Sequence, residues 1–460
     1  MSSINPYSTA ADRTVVRERR RVVLSSYLGT TIEFYDFLLY ATASAVVFGP
    51  VFFSGLDPWA GTVAAYGTFA AGYVARPLGG VIFGHFGDRL GRKKLLVISM
   101  LIMGTASTAI GLVPGPDLIG AWGAVLLVLL RVIQGIAIGG EWGGAALMAL
   151  EHADPKSRGF AASFTNAGAP TGSVLGLLVM SAFSAMPQEA FLAWGWRVPF
   201  LLSFVLLLVG LYVRSRVSES PVFQDAMARL DSESAKEMGV RRSVPLFQVL
   251  RRPGLLVTVI LAATSAFALQ TLLSTFAMSY TVSLGLPQSQ VMLAFAGAGI
   301  ISIGTTLLMG RISDRLGRKP LMIAGNVLFI LVLVPVFALL SSGNLSLVFL
   351  AFTLGIVTQT ILYGPMAAFI AERFGTGSRY TGASLGYQIA TLLGAGFTPI
   401  VLANLYGGGQ STTPVIVYLA SVSLISLITV VFMPESKDRS LTDSPGTAAE
   451  ASEGTRSAVS

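Results

Sequence analysis

Twelve stretches of this 460-residue chain are each long and apolar enough to cross a bilayer, and that pattern limits the fold more than any motif does. They run near 22–48, 59–84, 95–113, 119–149, 158–186, 190–213, 253–283, 288–310, 320–341, 345–371, 380–404 and 412–433. A helix needs about 20 apolar residues per crossing. Hydrocarbon offers no partner to backbone N–H and C=O groups, so segments of this length specify helices. Composition agrees: 12% of residues are charged, against roughly 25% in a soluble domain. The first stretch follows "RERRR" but is too long and too polar for a signal peptide's apolar region. No small-residue cleavage site follows it, so it is expected to stay in the mature chain.

The net charge of +8 would suit nucleic acid or an anionic lipid surface, and its placement separates the two. With a cytoplasmic N-terminus, 28 of the 31 Lys and Arg fall in the tails and inner connections, leaving Arg76, Arg131 and Arg197. This is the positive-inside bias of a multi-pass inner-membrane protein with both termini cytoplasmic. It leaves no contiguous basic surface that needs nucleic acid. The chain has no cysteine and two histidines, which excludes disulfides, thiolate chemistry and a His-rich metal site. His152 reads as a surface residue.

Three landmarks recur in the same order. "GHFGDRLGRKK" at 84–94 returns as "GRISDRLGRKP" at 310–320, an offset of 226 residues. "EHADPKSRGFAAS" at 151–163 and "ERFGTGSRYTGAS" at 372–384 each place an acid seven residues before an Arg. "SES" at 218–220 and "PES" at 434–436 follow the sixth and twelfth stretches. The chain therefore reads as a tail (1–21), six spans (22–213), a charged connection (214–252), six more spans (253–434) and a second tail (435–460). The connection reads as part amphipathic helix and part linker, and residues 1–14 and 440–460 as disordered. Parallel halves with binding near the midplane between them are a secondary-transporter architecture.

With "GTTIEFYDF", "ARPLGGVIFGHFGDRLGRKK", "RVIQGIAIGGEWGGAA" and "WGWRVPF" in order, the sequence resembles the major facilitator superfamily. Within it, it is similar to the metabolite:proton symporter family, which includes shikimate, α-ketoglutarate, citrate and proline/betaine carriers. The resemblance covers nearly all of the chain outside the tails. It implies an all-α membrane protein of twelve transmembrane helices in two six-helix bundles with pseudo-two-fold symmetry, working by alternating access.

The repeated loops read as gates on physical grounds too. Gly91 and Gly317 allow the tight turn, and Gly84 and Gly310 let neighbouring helices approach. Asp88 and Asp314 sit where a carboxylate can cap the positive N-terminal end of a helix in the opposite half, a contact that exists only with the cytoplasmic side closed. The resemblance implies that Asp88 reaches the eleventh span and Asp314 the fifth. It also implies a surrounding ion-pair network of Arg92, Arg318, Glu151, Glu372, Arg158 and Arg379, with Arg89 and Arg315 in the same DRLGRK cores. The competing reading, ordinary positive-inside charge, accounts for the Lys and Arg but not for the repeated Asp.

Charges inside the spans are costly and normally pair or line a cavity. Glu33, Asp36 and Tyr40 share one helix face by their spacing, with Glu33 roughly 16 Å from the start of its span. Arg76 and Arg131 fall at similar depth in the second and fourth spans, Gln134 lies on Arg131's face, and Glu141 is seven residues beyond Gln134. Two Arg face three acids, leaving one carboxylate over as a candidate proton carrier. Asp36, Glu33 and Glu141 are the proton-coupling candidates. Arg131, Arg76, Tyr40 and Gln134 are the substrate-binding candidates of the N-terminal half. The C-terminal half offers only neutral groups in its spans: Gln270, Gln359, Tyr363, Tyr387 and Gln388. Buried structural ion pairs and interhelical amide bonds are the alternative readings.

The expected function is proton-coupled import of a small carboxylate-bearing metabolite, with protons and membrane lipid as the other partners, by a monomer without cofactors. The alternatives are an exporter or uniporter, a betaine or proline carrier, and a transporter-like sensor. No GxSxG, HExxH, Walker A or Cys/His metal spacing occurs, so no enzyme is read. "NAGAPTGSVLG" keeps only part of the antiporters' GxxxGPxxGG pattern, and the C-terminal residues carry no heptads of the kind found in osmosensing relatives.

Overall fold

Each apolar stretch is a helix, and the helices run antiparallel in chain order. The computed structural model describes residues 10–56, 58–217, 219, 224, 245–251, 253–375, 378–406 and 411–437. The long helices are α1 (Ala10–Val46), α2 (Pro58–Leu90), α3 (Arg92–Leu112), α4 (Trp122–His152), α5 (Arg158–Ser184) and α6 (Gln188–Ser215). The second six are α7 (Pro253–Ser283), α8 (Gln288–Leu316), α9 (Arg318–Leu340), α10 (Leu345–Ala371), α11 (Arg379–Tyr406) and α12 (Thr413–Phe432). No strand occurs among the described residues.

Ten of these helices are long and apolar enough on their own to cross a membrane. The other two, α1 and α2, carry the buried charges Glu33, Asp36 and Arg76, and both pack inside the first bundle, α1 against α5 and α2 against α4. Two boundaries differ from the sequence reading. Helix α1 starts at Ala10, so part of the expected disordered tail is helical, because a run of arginines ends an apolar stretch without ending a helix. Helix α6 runs to Ser215, which brings Arg214 inside it. Most of the central connection lies outside the described residues, its expected amphipathic helix included, as do residues 1–9 and 438–460.

Helices α1–α6 and α7–α12 form two halves that meet along α5 with α8 and α10, and along α2 and α4 with α11. The start of α1, the α2–α3 and α8–α9 turns and the end of α12 share one end of the bundle, called here the loop end. Gly91 and Gly317 make those turns at φ 102, a left-handed conformation that favours glycine. One-turn π segments interrupt α6 at Phe191–Gly195, α7 at Leu272–Phe276 and α11 at Leu392–Gly396. Such segments concentrate at functional sites.

Candidate functional site

The halves differ in what they bury. Glu33, Asp36, Arg76, Arg131, Glu141 and Arg214, the buried charges of the span interiors, all belong to the N-terminal half. The buried apolar residues of the C-terminal half form one continuous cluster, which extends across the interface to Phe83, Leu95, Trp142 and Leu147.

Asp36 is 1% exposed and fully engaged. Its Oδ1 accepts from Ser203 Oγ at 2.5 Å and its Oδ2 from Ser107 Oγ at 2.6 Å. Ser107 Oγ in turn accepts from Gln134 Nε2 at 2.7 Å, and Gln134 Oε1 accepts from Arg131 Nη1 at 3.2 Å. The sequence places Asp36 and Glu33 near the depth of Arg131 and Arg76, where direct ion pairs between them are expected. Among the described residues neither pairing exists, because Gln134, one turn along α4, intercepts the Arg131 guanidinium and two serines fill the carboxylate. Ser107 and Ser203 carried no signal, being lone hydroxyls in apolar spans.

Aromatic faces hold the guanidiniums in place. Arg131 lies over Tyr40 at 4.4 Å, Phe69 at 4.9 Å and Phe37 at 5.1 Å. Arg76 lies over Tyr73 at 4.5 Å and over the same Phe37 at 4.7 Å. Cation–π contacts fix an Arg without neutralising it, so both keep a full positive charge toward any anion that enters. Tyr40 is itself anchored, its hydroxyl donating to Thr68 Oγ1 at 2.9 Å.

Glu141 is bonded to Arg214, a residue the sequence reading left outside the sixth span. Arg214 also donates to the Leu96 carbonyl at 2.5 Å. The buried tally is therefore three Arg against three acids, and the carboxylate oxygens without a partner among the described residues are Glu33 Oε2 and Glu141 Oε2.

Across the interface, Tyr387 stacks on Trp142 at 3.5 Å and shares a hydroxyl contact of 3.1 Å with Tyr363. Trp142 Nε1 donates to Asn166 Oδ1 at 3.1 Å, and Asn166 Nδ2 donates to the Tyr363 carbonyl at 2.5 Å. Gln388 Nε2 donates to the Gly139 carbonyl at 3.2 Å, so its amide joins the halves. Gln359 is buried in α10, and Gln270 is half-buried beside the π segment of α7. Neither Trp142 nor Asn166 stands out in the sequence; a lone indole in an apolar span does not announce its hydrogen bond.

At the loop end the halves are locked. Asp314 Oδ1 and Oδ2 accept from the N–H groups of Gly159 and Phe160 at 2.7 and 2.8 Å, at the N-terminus of α5. Glu151 pairs with Arg92 at 3.0 Å and, across the interface, with Arg379 at 3.2 Å. In the matching place Arg318 pairs with Glu372 at 3.1 Å and Asp314 at 2.9 Å. Arg89 and Arg158 are half-buried and Arg315 is exposed. The side chain of Asp88 lies outside the described residues, and with it the expected contact to α11. His152, read as a surface residue, is 8% exposed with its Nδ1 3.0 Å from the Met148 carbonyl.

The third repeat also has a structural counterpart. Glu219 accepts from the N–H groups of Arg92 and Lys93, both at 3.1 Å, and Glu435 from those of Arg318 and Lys319, both at 3.0 Å. Each carboxylate caps the helix that follows a DRLGRK turn. Burial alone would push Glu435 up, but the N–H groups of Lys437, Arg318, Ser436 and Lys319 outweigh it and hold the carboxyl below its ordinary value.

Two six-helix halves with a polar, charged centre on one side of their interface define a membrane transporter. Comparison with known proteins carries the assignment further. Residues 22–245 match the family model described as Sugar (and other) transporter, and residues 269–459 the one described as Major Facilitator Superfamily. The chain is 40% identical over 440 residues to the Escherichia coli inner membrane metabolite transport protein YhjE, covering 93% of this chain and 97% of that one. It is 37% identical to the Escherichia coli shikimate transporter, over 91% of this chain and 95% of that one. A solved structure of the proton:xylose symporter XylE, bound to 6-bromo-6-deoxy-D-glucose, superposes with a TM-score of 0.75. It is 19% identical and covers 93% of this chain and 98% of that one. The chain belongs to the major facilitator superfamily and is a transporter of metabolites, not an enzyme.

Proposed function

We propose that the protein imports a small carboxylate-bearing metabolite together with protons, across an inner membrane with the loop end facing the cytoplasm. One observation carries this reading: the hydrogen-bond chain Asp36–Ser107–Gln134–Arg131, which ends on a guanidinium set among aromatic rings. With Asp36 ionised, the Ser107 hydroxyl donates to it, so Ser107 accepts the Gln134 amide, and the Gln134 carbonyl faces Arg131. Protonating Asp36 removes the charge that orients this chain. Ser107 is then free to rotate, Gln134 loses its anchor, and Arg131 turns its planar donors to a substrate carboxylate, which a guanidinium grips bidentately. Proton and anion thus load together.

Arg76, sharing Phe37 with Arg131, doubles the positive charge at the same place. The aromatic rings between them suit a hydroxylated or aromatic acid. The neutral residues Gln270, Gln359, Tyr363 and Tyr387 supply shape and hydrogen bonds from the other half. The gate at Asp314, Glu151 and Arg379 closes the cytoplasmic side, and rocking of the halves as a monomer in the lipid exposes the centre alternately. A zwitterion such as betaine or proline would use the same guanidiniums with less net attraction, and an exporter would run the same chain in reverse.

Proteoliposomes with an internal pH dye test this directly. Organic acids, betaine and proline are added one at a time outside. Internal acidification with one acid establishes symport and names its class. No proton movement with any compound, while thermal shift still detects binding, would leave uniport, exchange or sensing and reduce the carboxylates to structural charges.

A further inference from the structure

The Glu141–Arg214 pair is not used by the chain from Asp36 to Arg131, yet it sits beside a second carboxylate with no other use. Glu33 is 2% exposed and Glu141 0%, and each has an oxygen, Oε2, without a partner among the described residues. Gly29 lies one turn before Glu33 on the same face of α1. A Cβ at Gly29 would come within 3.1 Å of Glu141 Oε1 and collide with the Arg214 guanidinium. The two carboxyl groups are therefore neighbours along one side of α1.

Beyond them, toward the loop end, lies a cavity of about 10 Å³ whose lining includes Val22, Ser25, Ser26, Lys93, Leu96 and Arg214. That is room for about one water molecule, with polar groups to hold it. The residues that line the cavity all belong to the N-terminal half.

We infer that Glu33 and Glu141 pass one proton between them and release it through the cavity beside Arg214, whose lining residues all belong to the N-terminal half. This rests on the proton-symport reading and adds a path to it. In the first step the O–H bond at Glu33 Oε2 breaks and one forms at Glu141 Oε2. In the second, Glu141 gives that proton to a water entering past Arg214, the residue that both bonds Glu141 and lines the cavity, and returns to its charged pair with Arg214, which stays protonated throughout. The substrate leaves through the gate while the proton leaves behind it, so neither blocks the other. The charged and titratable groups around the pair are Asp36 from α1, Arg76 from α2, Lys93 from α3, Arg214 from α6, and Tyr363 and Tyr387 from the opposite half.

Infrared spectroscopy of the purified protein, titrated in pH without any substrate, tests this route. Wild type should show a protonated-carboxyl band that E33Q and E141Q each remove or shift and that D36N leaves in place. Filling the cavity with S26V should slow hydrogen–deuterium exchange of that band at least tenfold without moving it. A band indifferent to E141Q, or an exchange rate indifferent to S26V, overturns the route. If E141Q does not fold, E33Q decides alone, since it leaves the Arg214 pair intact: a band that survives E33Q ends the proposal. No transported compound enters this measurement, so silence in the proteoliposome panel would defeat symport and still leave the band and its exchange to be read.

Discussion

Asp36 and Arg131 are joined through Ser107 and Gln134 and do not touch. In the proposed mechanism this linkage makes coupling depend on two uncharged residues as much as on the charges themselves. D36N should abolish accumulation driven by a pH gradient while keeping part of the counterflow exchange. Q134A should produce a similar loss with Asp36 intact, because Arg131 then no longer senses the state of the carboxyl. A hydrogen bond to a charged group contributes about 1.5–3 kcal/mol, so a drop of at least tenfold is expected. Uptake of labelled substrate with and without a pH gradient measures both, and full accumulation by either variant would refute the linkage.

Asp314 fills the N-terminus of α5 with two acceptor oxygens, each taking one backbone N–H. Asparagine has one acceptor oxygen and would turn an N–H toward the second donor. D314N should therefore destabilise the state closed at the loop end by about 1.5–3 kcal/mol, the usual worth of bonds to a charged group. The chain contains no cysteine, so a single probe is clean. Ser163 is fully buried against Gly310, and S163C should react with a thiol reagent roughly tenfold faster in the D314N background. Equal labelling would show that the cap does not hold the gate.

How much of this was legible beforehand divides along physical lines. The spans and halves were readable because apolar length and a repeated DRLGRK motif are properties of one segment at a time. Asp36, Arg131 and Gln134 stood out because a charge or amide in hydrocarbon is rare on its face. Their partners did not: Ser107, Ser203 and Asn166 act through distances between helices that no single segment encodes. Arg214 was missed because hydropathy fades before the helix ends, so the tally of buried charges came out one cation short. The "SES" and "PES" repeat was visible as a pattern, but its capping of a helix more than a hundred residues away in the chain was not.

Glu435 gives the gate a dependence on acidity. Its carboxyl is held below its ordinary value in the folded protein, so its contribution is fully present above the unfolded value of about 4.3 and is lost as pH falls through the lower folded one. As a helix cap it is worth about 1 kcal/mol. E435Q should unfold at a lower temperature than wild type near pH 7, and the gap should shrink as pH falls below the unfolded value and close only once the folded carboxyl is itself protonated. Thermal unfolding in detergent across that range tests the sign, and a gap that widens in acid would contradict it.

Gly84 offers a test in which fold and gate move in opposite directions. It lies inside α2, where replacing glycine by alanine favours the helix by about 1 kcal/mol. A Cβ there would come within 2.6 Å of the Thr381 backbone in α11, a contact across the two halves that neither backbone can relieve by a rotamer change. The clash arises only when the loop end is shut, so G84A should leave thermal stability level or raised while S163C labelling from the loop side increases. G84V, which adds two more methyls at the same point, should hold the loop end open and stop transport without unfolding the protein. If G84A instead lowers stability and leaves labelling unchanged, the close approach of α2 and α11 belongs to the resting fold and takes no part in opening.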